Sequence, residues 1–243
     1  MSITGEKDRD PVRVGASIGD IVAGMFLAQG ILAALLDRDR LGKGRKIDVS
    51  MLDSQLALLE HAVAMTSVNG VAPVPSGARH PSITPFETFH ARDGLFVIAA
   101  GNDALFASLC KTLGLPLAED PRFATNLARC ENARLLKRLI EAVTLDQPKQ
   151  HWIQELQRAG IPTGPIQDVA QVMQDPQILA RNMVVDVCDA DGHPQYKAAG
   201  NPVKLSALPD PVTRRPAPSL DGNRKDILKW LANGATQDDH SDT

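Results

Sequence analysis

Residues 12–40, VRVGASIGDIVAGMFLAQGILAALLDRDR, decide the architecture. They read as a short strand, a turn flanked by Gly15 and Gly19, and a long helix. From Ile21 to Leu36 only Gln29 is polar, and a helix that is apolar on nearly all sides has to be buried on most of them. The sixteen residues between Asp20 and Asp37 are fewer than the ~20 that a bilayer crossing needs, so the pattern predicts a core helix and no membrane span. Gly24, Ala28, Ala33 and Ala34 are small enough to let neighbouring backbones come close.

Outward from this helix, Gly42 and Gly44 end it and turn the chain. Ile47, Val49 and Met51 then alternate with Lys46, Asp48 and Ser50, as in a half-buried strand. Leu52, Gln55, Leu56, Leu59, Ala62 and Val63 keep helical spacing to about Thr66. Strand, helix, strand, helix is α/β architecture, yet two strands are too few to cover two such apolar helices. Gly15-Ala16-Ser17-Ile18-Gly19 also matches the Gly-x-Ser-x-Gly elbow of serine hydrolases, with Ser17 as nucleophile. The same letters have a plainer reading, in which Ser17 or Asp20 caps the helix and the glycines allow the turn before it.

Composition narrows the class. The chain has 243 residues, 43% of them hydrophobic, enough for one large or two modest domains. A net charge of −3 with scattered Lys and Arg supplies no basic surface, so nucleic acid is not an expected partner. The start MSITGEKDRD has neither a basic nor an apolar signal region, and Cys110, Cys130 and Cys188 lie far apart, which predicts reduced thiols in the cytoplasm. His61, His80, His90, His151, His193 and His240 form no His-x-x-x-His pair, so no metal is expected.

Texture changes at Asn69. NGVAPVPSGARHPSITP, residues 69–85, holds two glycines and four prolines and is too broken for a helix or a central strand. PFETFHARDGLFVIAAGND after it reads as a hairpin around Asp93-Gly94. Helices are predicted over 103–113, 131–145, 148–159 and 167–181, the last broken at Pro176. Strands follow at MVVDV and NPVKLS around Asp191-Gly192, then a proline-rich surface connection, PVTRRPAP, and a last helix over 221–232 before a polar tail. The division expected is 1–70 in a large domain, 71–185 in a smaller α+β domain inserted into it, and 186–243 returning to the first.

These stretches carry a resemblance. Residues 14–59, SGARHPSITPFETFHARDGLFVIAAGND (76–103), DPRFATNLAR (120–129), AGIPTGPIQDVAQVMQDPQILARNMVVDV (159–187) and SLDGNRKDILKWL (219–231) resemble the C-terminal part of family III CoA-transferases, the group of formyl-CoA and carnitine CoA-transferases. The resemblance implies an α/β fold in which a Rossmann-like large domain carries an inserted smaller α+β domain. It implies transfer of CoA from an acyl-CoA thioester to a carboxylic acid through an aspartyl mixed anhydride, with the thioester as substrate and no bound cofactor. In this family the glycine-serine turn is structural, which removes Ser17 from catalysis.

The family's nucleophilic aspartate would lie upstream of Met1, together with the N-terminal half of the large domain, so no catalytic residue is assigned here. Asp20, Asp48 and Asp53 have ordinary roles as cap, exposed strand position and first-turn acid. The loop Ser76-Gly77-Ala78-Arg79-His80 corresponds to the family's mobile loop over the acyl intermediate. Gly77 would offer backbone N–H groups, and Arg79 would pair bidentately with a substrate carboxylate. The glycine run of formyl-CoA transferase is absent from it, which counts against formate or oxalate and for a dicarboxylate such as succinate. Met25 would line the acyl pocket. Implied partners are a separate N-terminal half or a second copy in an interlocked homodimer. Other readings are an inactive acyl-CoA or partner-binding fragment, and an acyl-CoA racemase of the same fold.

Overall fold

The computed structural model describes residues 1–232 and divides the chain into two compact units, Met1–Ile166 and Gln167–Thr243. The first opens with α1 (Ile18–Leu41), α2 (Met51–Ala57) and α3 (Glu60–Asn69). The expected strands at 12–14 and 45–51 are not formed, because no strand among the described residues lies beside them to complete a ladder. The single helix expected from Leu52 to Thr66 is two, α2 and α3, separated at Leu58 and Leu59.

Helix α1 is longer than its apolar run. Its 24 residues are long and apolar enough to cross a membrane, so the length argument against a span does not hold for the folded helix. It buries none of its residues within the chain: Ile21 is 54% exposed, Leu32 63% and Leu36 69%. Where it packs against the rest of the unit, two glycines outside the expected set of Gly24, Ala28, Ala33 and Ala34 make close approaches. A Cβ at Gly30 would lie 3.1 Å from Ile47 and one at Gly19 3.3 Å from Gln55, whereas Gly24 has open space.

The core of this unit sits around a three-stranded antiparallel sheet, β1 (Phe86–Ala91), β2 (Gly94–Ala99) and β3 (Thr163–Pro165), in the order β1-β2-β3. The hairpin turns at Arg92 and Asp93, and Phe89 pairs with Phe96 in a register that places both inside. Helices α4 (Asp103–Leu113), α5 (Asn126–Glu131), α6 (Ala133–Thr144) and α7 (Lys149–Arg158) complete it. Phe106, Leu109, Cys110 and Leu113 on α4 recur at helical spacing, as do Ala133, Leu136, Ile140 and Thr144 on α6, and each set is buried. Asn102 caps α4, accepting from the Leu105 N–H at 2.8 Å, and Asp93 in the hairpin accepts from the Lys149 N–H at 2.7 Å where α7 begins.

The second unit holds α8 (Val169–Val172), α9 (Pro176–Ala180), β4 (Val184–Cys188), β5 (Pro194–Ala199), β6 (Thr213–Arg214) and α10 (Arg224–Ala232). The expected break in the run 167–181 is there, between α8 and α9, and Pro176 opens the second helix with Asp175 as its cap, because proline's missing N–H costs nothing at the first helical position. The strand paired with β4 is PQYKAA rather than NPVKLS, since the short turn at Asp191-Gly192 brings the nearer segment alongside. Within the expected proline-rich connection, Thr213 and Arg214 form a short parallel pairing with β4.

Candidate functional site

The loop Ser76 to His80 is built by hydrogen bonds at both ends. The Ser76 hydroxyl donates to the Arg79 carbonyl at 3.0 Å, closing the turn. Gly77 has φ +67°, a conformation that side chains disfavour, and its N–H donates to the Gly5 carbonyl at 2.9 Å. That N–H, expected to be open to a ligand, is therefore engaged. The His80 N–H donates to the Phe86 carbonyl at 2.8 Å and its ring stacks on Phe86 with centroids 5.3 Å apart. Nδ1 of His80 accepts from the Ser82 N–H at 3.2 Å, which places a ring proton on Nε2. Ser76, Arg79 and His80 are half-buried, Gly77 and Ala78 exposed.

Ser76 and Arg79 line one groove of about 740 Å³. Glu6 and Lys7 belong to it, and its other wall is the start of α6 with Arg134, Lys137 and Arg138. The buried carboxylate of Glu87 accepts from Lys137 Nζ at 2.9 Å, and the same Nζ donates to the Thr88 carbonyl at 2.7 Å. Arg134 approaches Asp8 at 3.8 Å, with both side chains exposed. Among the described residues Lys7, Arg79 and Arg138 have no ion-pair partner, and they share the groove with the carboxylates of Glu6 and Glu131, so the lining carries both signs with an excess of cationic groups that can meet an oxyanion.

Sequence reasoning found Arg79 and missed the rest of the groove. The signal available was the polar face of the amphipathic run 133–144, where Arg134, Lys137 and Arg138 cluster opposite Leu136 and Ile140. Met25 lies on α1, 59% exposed, and is not part of this groove. Ser17 occupies the N-cap position of α1, but neither its side chain nor that of Asp20 makes a capping hydrogen bond. Asp20, Asp48 and Asp53 are exposed. Ser50 caps α2 by accepting from the Asp53 N–H at 3.3 Å, which places Asp53 in that helix's first turn as expected.

Residues 1–224 match the model of CoA-transferase family III. The chain belongs to this family. It is 45% identical over 234 residues to an acetyl-CoA:oxalate CoA-transferase of Acetobacter aceti, covering 96% of this chain and 59% of that protein. It is 34% identical over 232 residues to a succinate–glutarate CoA-transferase of Agrobacterium fabrum, covering 95% of this chain and 58% of that protein. A solved CAIB/BAIF family protein from Brucella suis superposes with a TM-score of 0.79 at 36% identity, over 95% of this chain and 60% of that one. The family III chain described here thus spans about three fifths of the length of the curated relatives it matches.

Proposed function

We propose that these residues are the C-terminal part of an enzyme that moves CoA from an acyl-CoA thioester to a carboxylic acid through an aspartyl mixed anhydride. The observation that carries this reading is the family match over residues 1–224, joined to relatives named as CoA-transferases. The nucleophile is an aspartate N-terminal to Met1; Asp20, Asp48 and Asp53 are exposed and suit surface roles. Attack by that carboxylate on the thioester carbonyl expels the CoA thiolate and leaves the mixed anhydride; the thiolate then attacks the aspartyl carbonyl, which releases the donor acid and leaves an aspartyl-CoA thioester. The acceptor carboxylate attacks that thioester, expelling the thiolate again, and the thiolate attacks the acceptor's carbonyl in the second anhydride, which gives the new acyl-CoA and frees the aspartate. Splitting the transfer this way replaces one hard step by easier ones, and the developing oxyanion needs positioned donors. Coenzyme A enters as a substrate thioester and no resident cofactor or metal is required.

In this reading Ser76 to His80 closes over the acyl group and Arg79 holds a carboxylate that does not react. Oxalate, succinate and glutarate, the acids named for the relatives, each carry such a second carboxylate. The relative named for oxalate is 45% identical, which offsets the argument against oxalate drawn from the missing glycine run. Met25 contributes to the acyl pocket once α1 is covered. An apolar helix with none of its residues buried calls for a partner surface, which we assign to the N-terminal half of a Rossmann-like large domain or to a second copy in an interlocked homodimer. Residues 1–70 and 186–243 then belong to the large domain and 71–185 to the inserted one. Free Cys110, Cys130 and Cys188 suit a cytoplasmic setting.

The test uses the chain as encoded, with any in-frame residues upstream of Met1. Acetyl-CoA or succinyl-CoA is offered with oxalate, succinate or glutarate, and acyl-CoA products are separated by chromatography. Transfer that depends on the acceptor acid, with an enzyme-bound acyl group trapped by hydroxylamine, is expected. Epimerisation of a branched acyl-CoA without any acceptor acid would replace transfer by racemisation.

A further inference from the structure

The segment before α1 is folded onto the candidate site. The Val12 N–H donates to the Thr4 carbonyl at 2.8 Å, closing residues 4–12 into a compact loop. Gly5, at φ +142°, directs its carbonyl to the Gly77 N–H at 2.9 Å. A Cβ on Gly77 would sit 3.1 Å from Oε2 of Glu6, and one on Gly5 would sit 3.2 Å from the Asp10 carbonyl oxygen. Both ends of this bond therefore combine a glycine-favouring backbone with a tight contact at Cβ, against the end of the Glu6 side chain at Gly77 and against backbone at Gly5. Glu6 also lines the groove that Arg79 enters.

We propose that Met1–Val12 is a positioning element for the Arg79 loop. The Gly5–Gly77 bond, with Glu6 packed over Gly77, holds the turn in the conformation that presents Arg79 to the groove. Gly77 and Gly5 act through Arg79 and touch no substrate. Through this bond a rearrangement of either segment is transmitted to the other. The role given to Arg79 rests on the function proposed above, whereas the clasp itself rests on geometry alone.

Hydrogen exchange read by mass spectrometry separates the two. In Gly77→Ala, left-handed strain and the contact with Glu6 should accelerate exchange in residues 4–12 and 76–80 together, by about five- to thirtyfold. Adding Glu6→Ala should recover part of that loss by removing the contact. Acceleration in one segment only, or exchange equal to wild type in both, overturns the clasp. Unchanged exchange in the core helix 103–113 shows that the variant is folded.

Kinetics then reads the coupling. Gly77→Ala should raise KM for the acceptor acid in the wild-type background and add nothing to Arg79→Gln, because both act on one group. Additive effects overturn action through Arg79. If Arg79→Gln alone leaves KM unchanged, the assignment of Arg79 fails while the exchange result still decides the clasp.

Discussion

Nε of Arg129 donates to the carbonyl of Thr84 at 2.7 Å, deep in the core and across 45 residues of sequence. The same guanidinium donates through Nη1 to the Phe123 carbonyl at 3.0 Å and through Nη2 to Asp103 at 2.7 Å, and it lies 4.6 Å over the Phe106 ring. Arg129 is fully buried, so its charge is tolerated only because every face of the group is occupied. Asn126, one turn earlier, accepts from the Thr84 N–H at 3.1 Å and donates to the Ser82 carbonyl at 2.8 Å. Helix α5 thereby fixes the base from which the Arg79 loop springs.

Arg129→Met should therefore destabilise the first unit by about 2–4 kcal/mol, because two buried carbonyls lose their donors while the apolar volume is roughly kept. The urea midpoint of unfolding is the measurement. A midpoint equal to wild type would mean that water replaces the guanidinium without cost.

Arg79→Gln should raise the acceptor KM by about tenfold, the scale of one bidentate guanidinium–carboxylate contact, with much less effect on melting temperature because Arg79 makes no ion pair within the described residues. Comparing a dicarboxylate with a monocarboxylate of similar length decides the role. Equal losses for both acids would place Arg79 outside recognition of the second carboxylate.

How much of this was legible beforehand differs by element. The hairpin and the helix at 103–113 were readable because Phe89, Phe96, Phe106, Leu109 and Leu113 bury their apolar faces within the same unit, so local pattern and tertiary packing agree. The opening strand, helix, strand and helix were half legible. Apolar residues of α1 announced burial, but nothing among the described residues buries them, and strands without neighbours do not form ladders. Arg79 could be singled out from one loop. Lys137 and Arg138 stand together on the polar face of α6, but nothing local links that face, or Glu6, to the Arg79 loop, because the groove joins residues far apart in sequence.

Leu32→Glu tests what covers α1. This side chain is 63% exposed in the isolated chain, so the substitution should leave chain folding nearly unchanged. In the assembled enzyme the charge would enter an apolar interface, and assembly should weaken by several-fold or more, read by light scattering after size exclusion. A variant that assembles like wild type would show that this face of α1 stays in contact with water.

Asp210 supplies a pH signature for the second unit. Hydrogen bonding from Lys204 at 2.7 Å, and secondarily from Asn182 at 3.2 Å, holds its carboxyl below the usual value of 3.8. A carboxylate whose folded pKa is depressed binds fewer protons in the folded state than in the unfolded one. Its stabilisation is thus complete above the unfolded value and is lost as pH falls through the folded one. Stability of wild type should fall more steeply than that of Asp210→Asn below about pH 4, when urea midpoints are compared across acid pH. Parallel profiles would mean that the Lys204 contact is too solvated to matter.

Cys110 and Cys130 should differ sharply toward alkylating reagents. Cys110 is buried on α4, and loss of hydration pushes its thiol up to about 11. At pH 8 a thiol with that pKa is ionised in about one molecule in a thousand, and the thiolate is the reactive form. Cys130 is only half-buried, with its Sγ 3.4 Å from the Thr84 hydroxyl. Iodoacetamide under native conditions should label Cys130 first and leave Cys110 intact until the unit opens, so that the rate at Cys110 tracks global unfolding. Mass spectrometry of peptides from a labelling time course follows both sites at once. Arg129→Met then gives a second check, because a destabilised core should raise labelling at Cys110 in proportion to the lost stability while Cys130, reached without full unfolding, changes less. Labelling of Cys110 at the rate of Cys130 in wild type would show that the core around α4 opens locally, and would separate its stability from the Arg129 network.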